Sequence, residues 1–295
     1  MQSKSTKVPV GSRPAAFVEN EALLWKTESE LSTLSVLMPI YNERLTLEKI
    51  LERVLQAPLT VDLEIVAVDD CSTDGSWELL QQIACRDERI KPLRHETNRG
   101  KGAAIRTAIS HMSGDVAIIQ DADLEYDPDD FPALLEPILS GKADAVYGSR
   151  FAGHPRRALY FWHMVANKLL TLLANALNDV NLTDMETCYK AIRADVLKNL
   201  NLRANTFTIE PEVTTRLAQW GARVLEVPVS YAGRSYQEGK KIGVRDAFKA
   251  VWQLFWARFI DTRFTKHAGF SISSEPLPGG PRAKCSARNA SAPRR

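Results

Sequence analysis

The chain has 295 residues, a net charge of +2, and 44% apolar against 25% charged residues. That length buries a sizeable core, in one large domain or two small ones, and so small a net charge sets up no field that would draw nucleic acid. Its four cysteines, Cys71, Cys85, Cys188 and Cys285, stand far apart with no C-x-x-C pair, which argues against a disulfide framework or a zinc site and fits a reducing, cytoplasmic compartment.

Residues 1–33 are polar and dotted with proline, lack the apolar core of a signal peptide, and read as a disordered lead-in. Leu34 to Ile40 is a first buried strand, ended at Pro39. After Tyr41-Asn42-Glu43, the apolar residues Leu47, Ile50, Leu51, Val54 and Leu55 recur at helical spacing, with Pro58 beyond them. Leu63 to Val68 is a second strand, running into Asp69-Asp70-Cys71-Ser72-Thr73-Asp74-Gly75. Trp77, Leu80, Ile83 and Ala84 then mark one face of a helix, and Ile90 to Arg94 a weaker strand. Asn98-Arg99-Gly100-Lys101-Gly102 opens a helix to about Met112. These glycines suit a tight turn, and G-x-x-x-x-G-K-[ST] is absent, so a Walker phosphate loop is excluded.

The run Val116 to Ile119 ends in Gln120-Asp121-Ala122-Asp123-Leu124-Glu125. Asp121 and Asp123 stand two apart, so in extended backbone they point the same way and could share a divalent cation such as Mg²⁺ or Mn²⁺. A helix from Asp127-Pro128 to near Gly141 and a strand from Ala143 to Gly148 follow. Strand, turn and helix repeated with short loops predict an α/β fold with a mainly parallel sheet. Ligands in such sheets bind at the carboxyl ends of the strands, here Tyr41 to Glu43, Asp69-Asp70, Asp121 to Asp123 and Gly148 to Arg150.

The second half is less regular. An apolar helix is expected over about 158–177; His163, Asn167, Lys168 and Asn175 interrupt it, and no window reaches the run of about 20 uncharged apolar residues that spans a bilayer. The loop Leu182 to Lys190 comes next, then a helix from Phe207 to Trp220 with Glu210 and Glu212 in its first turn, where the helix dipole favours acids. A strand spans Arg223 to Val229, a basic loop Arg234 to Lys241, and a last helix Asp246 to Phe264. Most of that helix's aromatic residues are expected to cover the sheet or a partner subunit, with those at its end adding weak attraction to an anionic membrane. Residues 266–295 read as a disordered, basic, Pro/Ser-rich tail.

The ordered set Pro39-Ile40-Tyr41-Asn42-Glu43, Asp69-Asp70-x-Ser72-x-Asp74-Gly75, Asn98-x-Gly100-Lys101-Gly102, Asp121-Ala122-Asp123-Leu124 and Gly148-Ser149-Arg150-Phe151 resembles the inverting glycosyltransferase family 2. Within it the chain is most similar to the dolichyl- or polyprenyl-phosphate mannose and glucose synthases. The likeness continues through Thr183-Asp184, Cys188-Tyr189-Lys190 and the Arg234 to Lys241 loop, covering about 34–262.

The resemblance implies a GT-A layered α/β/α domain over 34–265, a nucleotide-sugar donor of the UDP-glucose or GDP-mannose type, a divalent cation and a polyprenyl-phosphate acceptor at the cytoplasmic membrane face. By the same resemblance Pro39, Tyr41 and Glu43 frame the nucleoside, Val68 and Asp70 hold base and ribose, and Asp121, Ala122 and Asp123 hold diphosphate and metal, with Glu125 beside them. Arg150, Arg234 and Lys240 contact phosphates. Asp184 is the candidate for acceptor-side work, as base or as orienting group. A phosphate acceptor is already anionic at neutral pH and needs no strong base, whereas a sugar hydroxyl does. A saccharide or soluble hydroxyl acceptor is therefore the alternative. A nucleotidyltransferase lacks its Gly-rich N-terminal signature here, a non-catalytic subunit fits poorly with the intact acids, and a dinucleotide enzyme lacks G-x-G-x-x-G after the first strand.

Overall fold

A computed structural model of the chain describes residues 31–153, 161–233 and 244–261. The expected lead-in up to residue 30, the loop from Arg234 to Lys241 and the tail 266–295 lie outside the described residues.

The elements run β1 (Thr33–Ile40), α1 (Leu47–Leu55), β2 (Asp62–Asp69), α2 (Ser76–Ala84), β3 (Ile90–Arg94), α3 (Lys101–His111), β4 (Val116–Ile119), a 3₁₀ turn (Pro128–Asp130), α4 (Phe131–Leu139), β5 (Ala145–Ser149), α5 (Phe161–Asn178), β6 (Lys190–Arg193), α6 (Ala194–Asn199), α7 (Ile209–Trp220), β7 (Val224–Pro228) and α8 (Val244–Phe255). A π-helical turn, Trp256–Ile260, extends α8.

Among the described residues the strands form one seven-stranded sheet, ordered β3-β2-β1-β4-β6-β5-β7. Only β6 is antiparallel to its neighbours, β4 and β5. The strands alternate in the pleat, so each feeds both faces. Leu34, Val36 and Met38 of β1 pack with Ile65 and Ala67 of β2 beneath α1, α2 and α4. Leu37, Val66 and Val68 point the other way, onto α3, α6 and α7. Helices on both faces of a mostly parallel sheet make the three-layer α/β/α arrangement expected from the sequence.

Pro39 lies inside β1 rather than ending it. Its ladder with β4 closes at Leu37–Ile119, so the missing proline N–H is not needed. β1 starts at Thr33, opposite Asp62, and the Ser32 N–H donates to Asp115 Oδ2 at 2.9 Å.

β6 and α6 lie between the expected 182–190 loop and the expected helix from Phe207, where the sequence predicts no element. The last helix does not cover the sheet with its aromatic residues, one of the two placements expected for them. It packs through Ala250 and Leu254 against Leu170 and Ala174 of α5, away from the sheet. Phe248, Trp252, Phe255 and Phe259 remain exposed, as do Phe161, Trp162, Leu169 and Leu172 on α5. Asp261 anchors the far end, accepting from Arg216 of α7 at 2.5 Å. Among the described residues no helix is long and apolar enough to cross a membrane.

Candidate active site

Because β1, β2, β4 and β5 are parallel, their carboxyl ends share one edge, and the loops singled out in the sequence meet there. The first two are knitted together. Asn42, at φ +56°, donates its N–H to Ser72 Oγ at 2.9 Å and accepts from the Thr73 N–H at 2.9 Å. The Glu43 N–H donates to Ser76 Oγ at 3.0 Å, and the Glu43 carboxylate accepts from Thr46 Oγ1 at 3.2 Å. Pro39 is half-buried and Tyr41 exposed at this corner.

Three expected nucleotide contacts have a different local setting. Val68 and Ala122 are buried in the two core layers, which closes their side chains to a ligand. Asp70 is also buried, and its carboxylate is committed within the protein. Its Oδ1 lies 2.6 Å from His95 Nδ1 and accepts the Arg99 N–H at 2.9 Å; Oδ2 accepts the Gly100 N–H at 2.7 Å. Asp70 thus fixes the turn that opens α3. Gly100 is required there: φ is +92°, and a Cβ would stand 2.4 Å from the Asn205 carbonyl oxygen.

That turn delivers Lys101 to the end of β4. Its ammonium lies 2.8 Å from Asp121, 2.9 Å from Cys188 Sγ and 3.6 Å from Glu210 Oε1, with the Phe207 ring 5.6 Å away. Burial works against the charge on Lys101, but Asp121 and its other neighbours outweigh it and hold the ammonium well above the usual lysine range. Burial and Asp121 push the Cys188 thiol up, so it faces Lys101 as a neutral acceptor. Glu210 takes a second ammonium, Lys190 of β6, at 2.5 Å. Lys190 is fully buried and sits 4.8 Å from the Tyr147 ring.

Asp121 follows β4 outside any regular element and Asp123 lies in a turn, with Leu124 at φ +63° after it, so the two do not continue the strand. Asp123 Oδ1 accepts the Glu125 N–H at 3.1 Å. Among the described residues no three His, Cys, Asp or Glu side chains gather into a metal cage. Two hard carboxylates on an open rim do fit an ion such as Mg²⁺, which is held by one or two carboxylates with substrate phosphates completing its shell. Glu125 Oε2 accepts from Tyr231 at 2.8 Å, and the Glu125 carbonyl accepts the Ala232 N–H at 2.8 Å. Beneath, Tyr126 stacks on Tyr189 at 4.4 Å, and Tyr189 donates to Gln120 Oε1 at 2.5 Å.

Arg150 and Asp184, expected on separate tasks, are joined to each other. Arg150 Nε donates to Asp184 Oδ2 at 2.7 Å and Nη2 to Oδ1 at 2.8 Å, while Asn167 adds a bond at 3.3 Å. Burial alone would raise the Asp184 carboxyl; Arg150 outweighs it and holds the carboxyl below its usual range. Arg234 and Lys240 lie outside the described residues. Sequence reasoning missed the pairing of Lys101 with Asp121, and it took Glu210 for a dipole acid. Lys190 entered it only as part of a matched motif, and Glu186 and Tyr231 it did not single out. A groove of about 410 Å³ runs between Thr206 and Thr208, which flank Phe207, and Phe248, Lys249, Trp252 and Gln253 of α8.

Residues 35–200 match the family model described as glycosyl transferase family 2. The chain is 30% identical to a dolichol-phosphate mannosyltransferase of Pyrococcus furiosus over 77% of its own length and 65% of that protein's. It is 30% identical to an undecaprenyl-phosphate mannosyltransferase of Micrococcus luteus, over 70% of the chain and 86% of the relative. A third relative, an undecaprenyl-phosphate 4-deoxy-4-formamido-L-arabinose transferase of Edwardsiella ictaluri, is 30% identical, over 70% of the chain and 62% of that protein. The chain therefore spans less than two thirds of the Pyrococcus and Edwardsiella proteins. In fold it is similar to glucosyl-3-phosphoglycerate synthase of Mycobacterium tuberculosis in complex with Mn²⁺, UDP and phosphoglyceric acid. That likeness has a TM-score of 0.60 at 18% identity, over 79% of this chain and 80% of the other.

Proposed function

The chain belongs to glycosyltransferase family 2, an enzyme family with the GT-A layered fold, and from that premise we propose that it transfers a hexose from a nucleotide sugar to a polyprenyl phosphate, with inversion, at the cytoplasmic face of a membrane. The observation that carries the acceptor class is the state of Asp184. A sugar hydroxyl must lose a proton as it attacks, and a base for it should be an uncommitted carboxylate. Asp184 is instead buried and locked two-pronged to Arg150. A phosphate acceptor has no such need, being a dianion at neutral pH in much of its population. Similarity to three polyprenyl-phosphate transferases supports the same reading.

In this account Pro39, Tyr41 and Glu43 frame the nucleoside at the β1 corner. Asp121 and Asp123 would hold Mg²⁺ or Mn²⁺, which when bound supplies Lewis-acid neutralisation of charge on the departing diphosphate. Lys101 adds a permanent buried cation beside Asp121, in surroundings where fixed charge acts more strongly than in water. Asp184 is assigned the orienting role: it holds Arg150 in one pose, from which the guanidinium can meet a phosphate. Arg234 and Lys240 remain candidates for closing over the diphosphate. The groove beside Phe207 suits an isoprenoid chain, and the exposed aromatic residues of α5 and α8 suit peripheral contact with lipid.

A hydroxyl acceptor is the second reading, favoured by one observation: Glu186 carries a carboxyl pushed up to about 7, first by burial and then by Glu210, which is the range of a general base. The two readings part in a product assay. Purified protein, Mn²⁺ and labelled nucleotide sugar are given a short polyprenyl phosphate, the matching polyprenol, or simple saccharides. Label moving to the polyprenyl phosphate alone supports the proposal. Label moving only to hydroxyl compounds would replace it with the second reading.

A further inference from the structure

The loop between α5 and β6 holds a carboxyl that the account of the lipid-phosphate reaction leaves unused. Glu186 is half-buried, and its Oε1 is sealed from solvent with no hydrogen-bond partner. A buried acceptor without a donor is costly, and it is retained where something absent from the free protein supplies the donor. Its surroundings say what that is. The Arg150–Asp184 and Lys190–Glu210 ion pairs act on Glu186, and Glu210 Oε1 is itself sealed without a hydrogen-bond partner. Burial and the charges of Glu210 and Asp184 push the Glu186 carboxyl up, against the pull of Lys190 and Arg150.

The acidic surroundings repel a phosphate, and the unanswered oxygen of Glu186 accepts from hydroxyls. The cluster also adjoins the expected diphosphate position, because Glu210 shares the Lys101 ammonium with Asp121. The group attached to that diphosphate in a donor is a hexose, rich in hydroxyl donors.

We propose that Glu186 reads the transferred sugar, its carboxyl exchanging hydrogen bonds with hexose hydroxyls of the nucleotide-sugar donor; this rests on the glycosyltransferase reading above. Glu186 is thereby a specificity-determining residue and not part of the diphosphate site.

The test is calorimetry on the full chain with Mn²⁺, comparing UDP and GDP with their hexose conjugates, including pairs of sugar epimers. Wild type, Glu186→Gln and Glu186→Ala are measured side by side. In Glu186→Ala the nucleoside diphosphate binds as in wild type, which also reports an intact fold. The sugar conjugate weakens by about tenfold or more, and preference between epimers flattens. Glu186→Gln, which keeps one donor and one acceptor, falls between. An unchanged ratio of conjugate to diphosphate affinity overturns the proposal, as does equal weakening of both. Intact sugar binding with a collapsed kcat in Glu186→Gln also overturns it, in favour of a general base. If wild type binds no nucleotide at all, the donor reading itself falls and takes this proposal with it.

Discussion

Arg150 and Asp184 close a two-pronged ion pair, 2.7 and 2.8 Å long, between the end of β5 and the loop before β6. The Asp184 side chain is fully buried and that of Arg150 is 15% exposed. The pair fastens one wall of the site to the only antiparallel strand in the described sheet. Removing one charge from such a pair strands the other. Asp184→Asn should lower unfolding free energy by about 3 kcal/mol, and a double-mutant cycle with Arg150→Met should recover a large part of it. Urea denaturation checks both values. A loss under about 0.5 kcal/mol would mean the pair is worth no more than a surface one.

Lys101 is the second predicted sensitivity. Lys101→Met removes the cation facing Asp121 and Glu210 while keeping most of the side-chain volume. If Lys101 helps neutralise the leaving diphosphate, kcat/KM falls by about a hundredfold or more, the range seen when a fixed transition-state donor is lost. Steady-state kinetics at saturating Mn²⁺ measures this.

At Gly100 the constraint is steric. Its φ of +92° and the 2.4 Å approach of a built Cβ to the Asn205 carbonyl leave no room for a side chain. Gly100→Ala should cost about 2 kcal/mol from backbone strain, and more if Asn205 cannot move. Thermal unfolding should show the loss, and Gly153→Ala, with nothing within 4 Å of its Cβ, should lack the clash.

Two glutamates give opposite pH dependences of stability. Burial raises the Glu64 carboxyl, but Lys91, Ser113 and Ser35 together outweigh it and bring it to about 2 from an ordinary 4.5. Its stabilisation, about 3 kcal/mol, is therefore full above pH 4.5 and fades as pH falls towards 2. Glu186 goes the other way, raised to about 7. The folded protein gives up that proton last, so stability declines from pH 4.5 to 7. Urea midpoints should show Glu64→Gln destabilised at pH 6 but near wild type at pH 2. Glu186→Gln should be more stable than wild type at pH 8 and equal to it at pH 4.

Membrane contact has its own test. Phe248 and Trp252 are 74% and 62% exposed on α8, which packs through its opposite side. Replacing both with serine should leave the unfolding temperature within about 2 °C, while weakening flotation with anionic vesicles by tenfold or more. Unchanged flotation would remove α8 from the contact.

The parallel strands and their shared rim were legible chiefly because β2 and β4 carry short β-branched runs cut off by polar residues. β6 was not. It is four residues long, begins with Lys190 and ends with Arg193, and nothing in a sequence says that such a lysine is buried against Glu210 and Tyr147. For Asp70 and Asp184, residue type was informative but partner was not. A carboxylate beside a predicted strand end can face a ligand, or it can accept the Arg99 and Gly100 N–H groups as Asp70 does. Only the return of distant chain decides. That the aromatic face of α8 does not cover the sheet has a related reason: helical spacing marks which residues share a face, and packing against α5 selects Ala250 and Leu254 as the buried one.

The central claim is a lipid-phosphate acceptor served by a nucleotide-sugar donor. Its most direct measurement is nucleotide release by the purified chain with Mn²⁺ or Mg²⁺. UDP-glucose, UDP-N-acetylglucosamine and GDP-mannose are supplied in turn, with and without a short polyprenyl phosphate, and Asp123→Ala serves as control. Release that the lipid phosphate stimulates for one donor, and that disappears in Asp123→Ala, is the predicted result. Tight donor binding with release indifferent to the lipid phosphate would contradict it.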